Sequence, residues 1–152
     1  MTNTDSDIAW MQQALLEADK AAACDEVPVG AVVVLDGEII GRGYNRPISR
    51  CDPTAHAEIE ALRDAARAMK NYRLPGAELF VSIEPCSMCA GAIVHARIRR
   101  LVYGATEPKA GVISSQQSFF TQDFLNHKPQ FTGGVLAEEA ADKLRNFFCQ
   151  RR

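Results

Sequence analysis

The stretch 28–44, PVGAVVVLDGEIIGRGY, places two β-branched runs on either side of Asp36-Gly37. An Asp-Gly pair tolerates the positive φ angles of a tight two-residue turn, so this pattern predicts two antiparallel strands. A sheet therefore begins early, and the rest of the chain must cover both of its faces. Upstream, Ile8, Met11, Leu15, Ala18 and Ala22 recur at helical spacing behind Ser6, a residue suited to capping. Downstream, 45–53 is polar with two prolines and reads as a loop.

Beyond that loop the pattern alternates. Asp52-Pro53-Thr54 opens a helix over about 54–71, and 77–83 (AELFVSI) reads as a buried strand. A short helix over 87–96 starts behind Pro85, and 100–104 reads as another strand. The stretch 106–126 is polar and poorly periodic, a functional loop with a helical turn near Phe119. A final helix, 137–150, turns Ala140, Leu144 and Phe147 or Phe148 toward the core. A hairpin followed by alternating helices and strands implies an α/β sandwich on a mixed sheet. At 152 residues, 47% of them hydrophobic, the whole chain 1–152 is expected to form one domain.

The longest apolar run falls far short of a bilayer span, and the N-terminus lacks a basic region followed by an apolar stretch. A cytoplasmic protein with no membrane association is expected. Five cysteines, Cys24, Cys51, Cys86, Cys89 and Cys149, form an odd set that does not suggest a disulfide framework. Cys24 and Cys149 read as small, buried or half-buried apolar residues. The net charge of −2 hides a gradient: residues 1–94 carry 8 Lys+Arg against 14 Asp+Glu, whereas 95–152 carry 9 against 5. The basic final third, including Arg97, Arg99 and Arg100, suits either a solvated face or an anionic partner.

Two short motifs carry chemistry. In EPCSMC, Cys86 and Cys89 stand three apart at a helix start, where both sulfurs share one side of the first turn and the helix dipole favours thiolates. His56, two residues before Glu58 at the start of the preceding helix, completes a two-thiolate, one-imidazole set suited to zinc. Three ligands leave a position for water, whose pKa the metal lowers from about 16 toward about 7. Glu58 is then placed to take the proton and return it to a leaving group. His-x-Glu followed by Pro-Cys-x-x-Cys is the signature of zinc-dependent nucleobase deaminases.

Together with VPVGAVVV, GYN, DPTAHAEI, NYRL, EPCSMCAGAIVHARI, YGA and GVLAEE…FFCQRR, these motifs make the chain resemble the bacterial tRNA-specific adenosine deaminases, within the cytidine/deoxycytidylate deaminase superfamily. The resemblance runs from about residue 8 to 152. It implies a three-layer α/β/α sandwich with a central mixed five-stranded sheet, one zinc ion per subunit, and a homodimer with no other protein partner. It also implies hydrolytic conversion of adenosine to inosine at the wobble position of a tRNA anticodon stem-loop, chiefly of an arginine tRNA, with release of ammonia. By the same match Asn45 hydrogen-bonds the flipped base, Val29 lines its pocket, and the backbone of Pro85 and Cys86 holds the end where oxygen enters. Ala55, Glu107, Phe148 and Arg152 join the substrate-facing set. The sequence departs from the family pattern at Glu107, where Asp is common, at Ser114-Ser115, where Gly-Ser is usual, and in ending at Arg152 without a lysine-rich tail.

Other readings stand beside this one. Cys-x-x-Cys is also a redox motif, and a fourth ligand such as His95 or Cys51 would make the zinc structural. A deaminase of free guanine or cytosine shares the four central residues, and a zinc-stabilised RNA-binding module would need the zinc without Glu58.

Overall fold

The computed structural model describes residues 3–151. The chain runs α1 (Asn3–Ala23), β1 (Gly30–Leu35), β2 (Glu38–Tyr44), α2 (Pro47–Arg50), α3 (Ala57–Met69), β3 (Glu78–Ile83), α4 (Ser87–His95), β4 (Arg100–Ala105), a 3-10 turn (Phe119–Thr121), β5 (Gln130–Thr132) and α5 (Ala137–Gln150). The five strands form one mixed sheet in the order β2-β1-β3-β4-β5. β1 is antiparallel to β2 and β3, while β3, β4 and β5 are mutually parallel along the sheet.

Period-two alternation divides the core into two layers. Val32 and Val34 of β1, Phe80 of β3 and Val102 of β4 pack with Met11 and Ala14 of α1. Their neighbours Ala31, Val33, Leu79, Val81, Leu101 and Tyr103 face the other way, toward Ala61, Leu62 and Ala65 of α3 and Ile93 of α4. α5 lies against β4 on the α1 side through Ala140, which packs with Leu15 and Ala105. Both faces of the sheet are thus covered, as a partly parallel sheet demands.

α3 lies unusually close to β2. A Cβ on Gly43 would meet the backbone N of Ala61 and sit 2.5 Å from the carbonyl oxygen of Ala57, and one on Gly41 would sit 2.5 Å from the carbonyl oxygen of Ala61. The two glycines of EIIGRGY are therefore the floor on which the start of α3 rests.

The hairpin forms where expected, with Asp36 at φ 51° and Gly37 at φ 76°. Several boundaries differ from the sequence reading. α1 starts at Asn3, with Asp5 in its first turn, so Ser6 lies inside the helix and does not cap it. α3 starts at Ala57 because 52–55 forms a turn in which Asp52 Oδ1 accepts from the Thr54 N–H and hydroxyl, at 2.8 and 2.7 Å. The expected loop 45–53 contains the one-turn helix α2, and β5 lies in a stretch that carried no strand signal. Cys24 and Cys149 are exposed, contrary to expectation, as is Cys51.

Gly43→Ala forces either β2 or the start of α3 to move. The expected cost is about 1–3 kcal/mol of stability by overpacking, read from urea unfolding. Because His56 sits directly before α3, zinc retained through dialysis is expected to fall in the same variant.

Candidate active site

One end of the sheet collects the beginning of β1, the end of β2 and the carboxyl ends of the parallel strands β3 and β4. Crevices at such strand ends are where open α/β sheets bind ligands. His56 is the residue preceding α3 and has extended backbone angles, φ −74° and ψ 156°. It is therefore not part of the helix, and that is how residues 56 and 58 turn toward one place although only two positions apart. Cys86 stands likewise before α4, with φ −79° and ψ 176°, and Cys89 belongs to the first turn. His56 Nδ1 lies 3.6 Å from Cys86 Sγ and 3.5 Å from Cys89 Sγ.

These separations fit zinc. Ligand distances of about 2.0 Å to nitrogen and about 2.3 Å to sulfur at a tetrahedral angle give a nitrogen–sulfur edge of about 3.5 Å. The three donor atoms all lie within 4.8 Å of one another, and no fourth His, Cys, Asp or Glu joins them among the described residues. His95 lines a separate groove between α3 and α4, and Cys51 is exposed. The electrostatics point the same way. A hydrogen bond from Cys89 holds the Cys86 thiol down to about 4, and His56 adds to the effect. Cys89 is pushed far up by donating that bond and by burial. The hydrogen bond with Cys86 raises His56 against its own burial. Without a cation the corner can hold one thiolate and not two; a divalent ion removes that conflict.

Glu58, 3% exposed, lies beside this group. Burial raises its carboxyl to about 7, helped by the Cys86 charge. A carboxyl poised near neutrality is suited to passing a proton in both directions.

The adjoining cavity has a volume of about 300 Å³ and is lined by Val27, Val29, Asn45, His56, Glu58, Ile83, Glu84, Cys86, Glu107, Ala110, Leu144 and Phe148. Of the sequence-predicted set it brings together Val29, Asn45, Glu107 and Phe148 with the central residues. Phe148 is half exposed while Phe147 is buried, so of the two adjacent rings it is Phe148 that faces the cavity. Leu144, expected in the core, lines the cavity too. Ala55 is buried beside the wall, its carbonyl accepting from the Arg46 N–H at 3.0 Å. Pro85 is buried, and its carbonyl accepts from the Val112 N–H at 3.1 Å. Arg152 lies outside the described residues. Asn45 Nδ2 donates to the Val27 carbonyl at 3.3 Å, which fixes its side chain and leaves further amide capacity for a ligand.

Two buried carboxylates that sequence reasoning passed over hold the walls. Glu26 accepts from the N–H groups of Ile48 and Ser49, at 3.3 and 2.6 Å, and from the Ser49 hydroxyl at 2.8 Å. Glu84 accepts five hydrogen bonds from residues 107–115. Burial works against the charge on each, yet those donors hold both carboxyls below the ordinary range. The available signal was position: each acid directly precedes a motif, EVPVG and EPCSMC.

A larger cleft of about 670 Å³ opens at the opposite end of the sheet, with Asp7, Glu78, Arg99 and Arg100 in its walls. Its charges are engaged with one another: Arg100 pairs with Asp7 at 2.7 Å and Glu78 at 3.0 Å, and Arg99 with Glu78 at 3.2 Å. Arg99 and Arg100 are thus remote from the metal-binding corner. Arg46, next to Asn45 and directly before α2, and Arg50, the last residue of α2, share the buried Glu60 at 3.6 and 3.2 Å.

A mixed sheet whose strand ends present an open three-donor centre, with a buried acid beside it, suits zinc-dependent hydrolytic chemistry. Residues 4–105 match the cytidine and deoxycytidylate deaminase zinc-binding region, and the chain belongs to this family. It is 54% identical over 147 residues to a tRNA-specific adenosine deaminase of Haemophilus influenzae, covering 96% of this chain and 85% of that protein. A solved structure from studies of A-to-I editing by tRNA:A34 deaminases at the wobble position superposes with a TM-score of 0.87 at 50% identity, over 90% of this chain and 99% of that one. A guanine deaminase from Nitrosomonas europaea superposes with a TM-score of 0.76 at 27% identity, over 93% and 84%.

In zinc-free protein Cys86 is expected to react with iodoacetamide at a rate almost independent of pH between about 6 and 9, since a thiol held near 4 is already ionised there. The exposed Cys24 and Cys149 are expected to be alkylated with or without zinc. Cys89 is expected to stay unmodified, and added zinc to protect Cys86; peptide mass spectrometry reads all four sites.

Proposed function

We propose that this chain catalyses zinc-dependent hydrolytic deamination of adenosine to inosine at the wobble position of a tRNA anticodon, chiefly of an arginine tRNA. The observation that carries the reading is the joining of two things in one crevice. A metal-binding corner with a proton-passing carboxyl lies at the bottom, and the walls belong to a chain 50–54% identical to proteins named for this reaction. The guanine deaminase is much more distant at 27%.

His56, Cys86 and Cys89 would hold the zinc, which when bound supplies a Lewis acid that makes water nucleophilic at neutral pH. Glu58 takes the proton from that water on its carboxylate. It would give that proton to the ring nitrogen of adenine, then take the remaining proton from the oxygen now on carbon 6 and pass it to the amine, so that carbon 6 gains a carbonyl oxygen and the amine leaves as ammonia. A carboxyl raised to about 7 accepts and releases with little penalty either way. Asn45, tethered through Val27, offers its remaining amide capacity to the base, and Val29 with Phe148 encloses the ring. The cavity of about 300 Å³ leaves the rest of the RNA outside, so the adenine has to leave its stack, which is inexpensive in an anticodon loop. Arg46, adjacent in the chain to Asn45, and Arg50 would suit flanking phosphates.

The same reading takes 1–152 as one domain acting in the cytoplasm as a homodimer. The homodimer is supported by a largely apolar groove between α3 and α4, lined by Ile59, Leu62, Ala66, Tyr72, Ala92 and Ala96 with Arg63 and His95. Among the described residues no helix is long and apolar enough to cross a membrane.

Glu58→Ala is expected to lower turnover by about 10²–10⁴ while zinc content and melting temperature stay near those of the unaltered protein. Retained turnover, or loss of zinc, would remove Glu58 from the role given to it. In a parallel assay, ammonia is expected from an anticodon stem-loop of arginine tRNA and not from free adenosine, guanine or cytosine. Release from the free bases alone would transfer the chain to the metabolic deaminases.

A further inference from the structure

We infer that Glu84 is a positioning residue that holds segment 107–115 in place as the far wall of the base cavity. Its place is set by β3, at whose end it follows Ile83, and its own N–H donates to the Ala105 carbonyl at 2.8 Å. The side chain, 2% exposed, then turns into a segment with no strand or helix of its own. Oε1 accepts from the Glu107 N–H at 3.0 Å and the Ser115 hydroxyl at 2.5 Å. Oε2 accepts from the N–H groups of Ile113, Ser114 and Ser115 at 3.0, 2.8 and 2.9 Å. Three successive backbone N–H groups converging on one oxygen form the concave nest that elsewhere binds anions; here the chain fills it with its own carboxylate.

The fit is close enough to dictate a neighbour. A Cβ on Gly111 would fall on the Glu84 carboxyl carbon, so the backbone wraps the carboxylate with no side chain between them. The residues held this way matter because Glu107 and Ala110 line the same cavity as Asn45 and Val29. Within this segment the N–H groups of Gly111 and Val112 find backbone carbonyls, of Glu107 and Pro85, whereas those of 107 and 113–115 rely on a side chain. Glu84 supplies that side chain from the turn that also carries Cys86. The wall facing the base and the metal-binding turn are therefore parts of one rigid piece, and substrate meets a preformed surface instead of ordering one.

Glu84→Gln tests this with little change in volume. With its NH₂ toward Ile113, Ser114 and Ser115 the amide loses three bonds; turned the other way it loses the Glu107 bond, while the Ser115 hydroxyl can reverse and accept. In the RNA-free zinc protein, hydrogen exchange of the amides of residues 107 and 113–115 is expected to accelerate about tenfold or more. Exchange in α3 and zinc content are expected to be unchanged. With the anticodon stem-loop, KM is expected to rise about tenfold, the scale of one or two lost charge-assisted bonds, with kcat within about threefold. Ser115→Ala, which removes only the hydroxyl bond, is expected to move both readouts the same way by about threefold. Unchanged exchange at those amides overturns the inference, as does a fall of kcat and zinc together at constant KM. Should Glu84→Gln not fold, exchange and KM unaltered in Ser115→Ala overturn it. The KM arm alone rests on the tRNA reading: stem-loop inert to the unaltered protein, with the exchange pattern as expected, defeats that reading and supports the role of Glu84.

Discussion

Two sulfurs and a carboxylate confined to one buried corner cannot all be charged at once, and the rest of the structure is arranged around that conflict. Cys86 ionises easily only because Cys89 keeps its proton and donates to it, while burial keeps Glu58 close to half protonated near neutral pH. A divalent cation accepts the second thiolate and turns an electrostatic obstacle into a binding site. Burial is needed for both effects, since solvent would screen the charges and return the carboxyl to its ordinary range. The centre therefore requires a dry corner, and a dry corner requires neighbouring backbone to be held by something other than water.

That requirement accounts for the otherwise uneconomical placement of buried acids around the cavity. Glu26 satisfies the first amides of the one-turn helix α2, and Glu84 satisfies those of 113–115. Each carboxylate lies immediately before a segment with a functional side: Glu26 before Val27 and Val29, Glu84 before Cys86. The irregular loops thereby acquire the rigidity of the strands they leave. On the other side, Gly41 and Gly43 let α3 rest on β2 backbone, which fixes His56 relative to the same sheet. Four loops and two helix starts are thus referred to one frame, which a metal site tolerating only a few tenths of an ångström requires.

What could be read from residue order was what depends on local pattern. The Asp36-Gly37 hairpin, the buried β3 run and helix α5 carry their periodicities in the chain, and the spacing of Cys86, Cys89, His56 and Glu58 is a chemical specification in itself. What escaped depends on distant partners. β5 has three residues and exists because β4 offers it an edge, and α2 is held in one turn by Glu26, 22 positions before Ile48. Glu84 read as part of a motif, yet its five donors come from a stretch whose lack of periodicity concealed them. Arg99 and Arg100 sat in a basic third that suggested an anionic partner, and charge counting cannot reveal that Asp7 and Glu78 already occupy them. The exposure of Cys24 and Cys149 was hidden likewise, because a cysteine's burial depends on where its helix end emerges and not on its type.

Chemistry and selectivity are consequently separable in this molecule. On the proposed reading the corner formed by His56, Glu58, Cys86 and Cys89 acts on an amidine carbon whatever carries it, since three donors and an acid contact no other part of the base. On that reading discrimination comes from the other residues that line the cavity: Val29 and Asn45 at the two ends of the β1–β2 hairpin, Glu107 and Ala110 after β4, and Leu144 and Phe148 of α5. These come from widely separated parts of the chain, so each can change without disturbing the metal-binding donors, provided its anchor is kept. A fold that shares one centre among deaminases of different bases is then the expected outcome, with Glu26 and Glu84 as the fixed points between which the walls can vary.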